Sequence, residues 1–114
     1  MPISEAAMDG IHANGIKWKR KMRGTASLVH AANAAFEARD LDRLHGCMRR
    51  IGKKFRDAMG AEIDGRDEDT LQWFEEETAD YEFGNGDEDD FKAEFNFRLG
   101  ELYDWADYNR VLVC

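Results

Sequence analysis

The sequence predicts an all-α fold, a compact single-domain bundle of four to five helices spanning residues 1–114, and three observations lead there. Proline occurs once, at Pro2, so no interior proline interrupts a helix. Apolar residues recur at steps of three and four over two stretches, Leu28 to Phe36 and Leu41 to Met59. In the last third, Phe91, Phe95, Leu99, Leu102, Ala106 and Val113 fall within an arc of about 80° when projected at 100° per residue.

The elements follow in order. Residues 4–22 are expected to be at least partly helical, with Ser4 as N-cap and a possible break at Asn14-Gly15. Thr25 or Ser27 can cap a second helix carrying Leu28, Val29, Ala32, Ala35 and Phe36, and its four alanines between 31 and 35 would let a neighbour approach closely. Asp40 can cap a third, on which Leu41, Leu44, Met48, Ile51, Phe55 and Met59 share a face and which Gly60 would end. Asp67 or Asp69 would cap a fourth, with Leu71, Phe74, Thr78 and Tyr81 on one stripe. Phe83-Gly84-Asn85-Gly86 reads as a turn, and the acids Asp87 to Asp90 suit the N-terminus of a last helix. That last segment also alternates, Phe91, Ala93, Phe95, Phe97, Leu99, so an α+β fold with a β-hairpin around residues 79–99 is the alternative.

Charge is distributed unevenly. Residues 1–60 hold 12 Lys plus Arg against 6 Asp plus Glu, a net of +6, while residues 61–114 hold 4 against 18, a net of −14. The chain's net charge of −8 averages a basic helical half and an acidic one. Neither half has apolar residues for more than a marginal core, so one domain with a polar axis of charge is expected.

Catalytic and metal signals are weak. His45-Gly46-Cys47 is too tightly spaced for the usual zinc pairings, and His12, His30 and Cys114 would have to converge from separate elements. Residues 85–96 place Asp90 where a calcium loop needs glycine. No phosphate-binding glycine motif or serine elbow occurs, so neither an enzyme nor a resident cofactor or metal is expected. The absence of a long apolar run and of a secretory layout at the N-terminus points to a cytoplasmic protein with no membrane association.

The acids and rings of the second half are the candidate binding site. Asp87, Asp90, Glu94 and Glu101 project together on the last helix, Glu75, Glu76 and Asp80 extend the acidic face, and Phe97, Trp105 and Tyr108 lie among or beside them as anchors. Acids three and four residues apart rise by roughly 4.5 to 6 Å along a helix, close enough to the phosphate repeat of one strand, about 3.4 Å, to act as a DNA mimic. The competing readings are a solvated face and, for the rings, an ordinary core role. The basic patch, Lys17, Lys19, Arg20, Lys21, Arg49, Arg50, Lys53 and Lys54, would bind nucleic acid, dock an acidic partner, or face the chain's own acids within or between copies. Direct nucleic-acid binding is disfavoured because the −14 half opposes a polyanion. These features point to a small inhibitor that blocks a basic, nucleic-acid-handling surface of a protein partner, as phage anti-defence proteins of the anti-CRISPR or anti-restriction type do. An immunity or antitoxin-like protein that neutralises a basic toxin is the alternative, followed by an assembly protein forming charge-driven homo-oligomers.

Overall fold

The computed structural model describes residues 20–114. The helix expected over 4–22 therefore lies outside the described residues as far as 19, and at its end the chain is a strand instead. β1 (Arg20–Met22) pairs in parallel with β2 (Val111–Val113), in the register Arg20 to Val111 and Met22 to Val113. Met22 and Val111 are buried, so this short pair closes one end of the core.

Four α-helices occur among the described residues, and the all-α bundle is the observed architecture. Gly24, at φ 81°, turns the chain into α1 (Thr25–Ala38). The expected cap at Thr25 or Ser27 is corrected: Gly24 is the N-cap, and the buried Thr25 hydroxyl donates back to the Met22 carbonyl at 3.3 Å. Ala32 and Ala35 are buried against α2 (Leu41–Met59), which starts, as predicted, at an Asp40 carboxylate accepting from the Arg43 amide at 3.2 Å. Leu44, Met48, Ile51, Phe55 and Met59 of the predicted face are all buried. Gly60, at φ 57°, ends α2 and opens a short 3-10 turn (Gly60–Glu62).

α3 (Gly65–Glu75) begins earlier than predicted. Its cap is Asp64, whose carboxylate accepts from the Asp67 amide at 2.7 Å, rather than Asp67 or Asp69. A 3-10 turn (Glu77–Asp80) follows, pinned by the Thr78 hydroxyl donating to the Phe74 carbonyl at 3.0 Å. Gly84 and Gly86, both at positive φ, form the predicted turn into α4 (Glu88–Tyr108).

α4 settles the choice between helix and hairpin. Phe95, Leu102 and Ala106 are buried and Phe91 and Leu99 pack on the core, whereas Ala93 and Phe97, the other members of the alternation, face solvent. No hairpin spans 79–99; the 3.6-residue period wins because it buries a continuous stripe. The helix stops at Tyr108, so Val113 belongs to β2 and not to its stripe.

One core draws on both charged halves. It runs from Met22 to Val111, with Leu44, Ile51, Phe55, Leu71 and Phe74 fully buried at its centre. A second aromatic group, Phe36, Tyr81, Phe83 and Phe91, packs beneath the connection from α3 to α4, with Tyr81 stacked on Phe91 at 3.8 Å between centroids. No helix among the described residues is long and apolar enough to cross a membrane.

Candidate binding surface

The predicted acidic residues divide into two groups with different partners. Arg56 on α2 is the hub of the first. Its guanidinium donates to Glu68 through Nη1 and Nη2 at 2.9 and 2.6 Å and to Glu75 through Nε and Nη2 at 3.0 and 2.6 Å. These bonds raise the Arg56 pKa further, and the bond from Arg56 holds the Glu68 carboxyl below the usual range. Arg66 donates to Glu101 at 2.7 to 2.9 Å, and Arg98 pairs with Glu94 while its guanidinium lies 5.5 Å from the centre of the Trp73 ring. Glu75, Glu94 and Glu101 are thus engaged by the chain's own arginines.

Glu76, Asp80, Asp87 and Asp90 form the second group. They are exposed and have no counter-cation among the described residues. All four lie on the connection from α3 to α4 or on the first turn of α4. Glu77, Glu82 and Asp89, which are not among the predicted surface acids, are exposed there too, while Glu88 pairs with Arg39. The signal that could have found them is negative: residues 76–90 contain eight acids and no Lys or Arg.

The aromatic group under this segment holds it in place. Arg39 lies 4.6 Å over the Phe83 ring, and the Tyr81 carbonyl lies 3.1 Å from His45 Nε2. The Tyr81 hydroxyl is buried and makes no hydrogen bond among the described residues. Burial, then the nearby Glu88 and Asp87, pushes its pKa up.

Of the three predicted ring anchors, two point outward. Phe97 is 64% and Tyr108 86% exposed, and their separation of eleven residues is three turns, so they share one face of α4 with the exposed Asp104 between them. Trp105 is half-buried and packs against the core.

The basic patch also divides. Lys17 and Lys19 lie outside the described residues, and the backbones of Arg20 and Lys21 form β1. Lys53 pairs with Asp57 at 3.3 Å and Lys54 donates to the Arg23 carbonyl at 2.7 Å. Arg49 and Arg50, with Arg43, are exposed and meet no carboxylate within ion-pair distance among the described residues. They line two adjoining hollows between α1 and α2 that share Leu28 and Arg50.

No group of three or more His, Cys, Asp or Glu side chains is placed to hold a metal among the described residues, and Cys47 and Cys114 are both free. No family model, no curated protein and no solved structure matches the chain.

Proposed function

We infer that the protein acts by binding and not by catalysis, as a small inhibitor that occupies the basic, nucleic-acid-handling surface of a protein partner, in the manner of anti-CRISPR or anti-restriction proteins of phages. The setting this implies is the cytoplasm of a host cell. The observation that carries the reading is the segment 76–90: seven exposed carboxylates without a counter-cation among the described residues, no cation in the stretch, and a packed aromatic floor beneath. Carboxylates held in place can replace phosphates in a basic groove, drawing the partner in by charge and displacing its counterions. Because the floor already fixes them, little ordering cost falls due on binding. Phe97 and Tyr108 supply the ring area that anchors such contacts.

The test is inhibition of DNA cleavage by a panel of purified CRISPR effector and restriction nucleases. The wild-type chain is compared with the fourfold variant Glu76→Lys, Asp80→Lys, Asp87→Lys, Asp90→Lys. At about 0.5 to 1 kcal/mol for each rim charge, the variant is expected to inhibit roughly 30- to 1000-fold more weakly while its circular dichroism stays helical. Inhibition that survives the reversal, or no inhibition of any nuclease by the wild type, overturns the reading. Tight capture of a basic toxin with no competition from DNA would favour the immunity-type alternative.

A further inference from the structure

We propose that the basic hollow between α1 and α2 is a docking site for a second copy of this chain, which inserts the outer face of its α4. The two adjoining hollows, continuous through Leu28 and Arg50, together have an apolar floor from Leu28 and Ala31 and a rim from Arg43, Arg49, Arg50 and Lys53, with Asp42 lining one and Asp57 the other. Arg43, Arg49 and Arg50 find no carboxylate within ion-pair distance among the described residues. Such a surface suits a ligand that brings both negative charge and apolar area.

The outer face of α4 has that chemistry. Phe97 and Tyr108 stand out from it with Asp104 between them and Asp107 alongside, and Gly100 leaves the ground between the rings open, with nothing but its chain neighbours and the helix's own backbone within 4 Å of where a Cβ would be. The two surfaces also match in length. The rim from Arg43 to Lys53 spans ten residues of helix, about 15 Å, and Phe97 to Tyr108 eleven, about 16 Å. Nucleic acid fits the hollow less well: a phosphate chain gains nothing from Leu28 and Ala31, and the chain's net charge of −8 repels it.

The contact joins two different patches, so it is heterologous: copies add head to tail until the assembly closes or the protein is diluted. It uses Phe97 and Tyr108, so a second copy and the partner inferred above exclude one another at those rings. It does not use the acids of 76–90, and it is measured with no partner present, so either reading can fail alone.

The experiment is sedimentation velocity on the full chain from low micromolar to near-millimolar concentration. The wild type is expected to grow in mass with concentration in about 20 mM NaCl and to return toward the monomer in about 500 mM, where charges are screened beyond a few ångströms. Two variants separate the surfaces: Arg49→Glu with Arg50→Glu removes the hollow's charge, and Phe97→Ala with Tyr108→Ala removes the rings. All four side chains are exposed, and circular dichroism confirms folding. Each variant alone is expected to associate at least tenfold more weakly than the wild type. Mixed, they restore a 1:1 complex, because each keeps the surface the other has lost. A wild type that is monomeric throughout, a mixture that stays monomeric, or a charge-reversed hollow that associates as well as the wild type overturns the proposal. So does a monomeric wild type that binds labelled duplex DNA through Arg49 and Arg50.

Discussion

Gly52 sits where α3 crosses α2, and a Cβ there would stand 2.6 Å from the Glu75 Cγ and 3.1 Å from the Phe74 Cβ. Neither neighbour can give way easily. The Phe74 ring is fully buried, and the Glu75 carboxylate is held by Arg56. The absent side chain therefore sets both the approach of the two helices and the aim of Glu75 at Arg56. Gly52→Ala gains about 1 kcal/mol of helix propensity but overpacks a filled contact at a cost of about 1 to 3 kcal/mol. The steric term wins because the backbone of α3 would have to move. A net loss of up to about 2 kcal/mol is expected in urea denaturation. Gly100→Ala is the control: apart from its chain neighbours and the backbone of α4 itself, nothing lies within 4 Å of the new Cβ, so the same substitution is expected to stabilise by about 0.5 to 1 kcal/mol. Equal effects at the two positions would mean that the close crossing at Gly52 does not exist.

At the scale of the element, the end of α4 is decided by one residue. Arg110 adopts φ 60°, a left-handed conformation that a helix cannot continue through, and the chain leaves it as β2 alongside β1. The side chain is exposed and forms no ion pair among the described residues, so its backbone conformation is what matters. Arg110→Gly is expected to raise stability by about 0.5 to 1 kcal/mol, because glycine enters this region without steric cost; a loss in thermal denaturation would instead assign the arginine side chain a packing role. What could be read in advance followed the same division. The faces of α2 and α4 were legible because each repeats one periodicity over five or six turns. The β1–β2 pair was not, since three residues meet three others some ninety positions later with no local signal. Asp64 was missed as a cap because two further aspartates within five residues, Asp67 and Asp69, offer the same chemistry. The acids of the candidate surface were legible as residues, but their engagement was not: Glu101 meets Arg66 across 35 residues and Glu75 meets Arg56 across 19, and only the packing of the helices determines those meetings.

For the whole molecule the relevant quantity is which charges remain after the chain has paired its own. Residues 61–114 hold 18 acids, of which Glu68, Glu75, Glu88, Glu94 and Glu101 form ion pairs within the described residues, while Lys92, Arg66 and Arg98, three of that half's four cations, are already engaged. The surplus is negative and mostly exposed. Two effects of salt then oppose each other. Screening weakens the ion pairs, but these are short contacts, and Arg56 with Glu75 is half-buried, so they lose little. Screening also removes repulsion among the acids without a counter-cation, which at about 10 mM ionic strength reaches some 30 Å and at about 0.15 M only about 8 Å. Repulsion therefore loses more. The melting temperature, measured at a protein concentration low enough to keep the chain monomeric, is expected to rise by a few degrees from about 10 mM to about 300 mM NaCl, the shift that roughly 1 kcal/mol produces in a domain of this size. A fall over that range would mean that the ion pairs around Arg56, Arg66 and Arg98 outweigh the repulsion of the 76–90 acids. In that case the segment would not carry the concentrated negative field that its engagement of a basic partner requires.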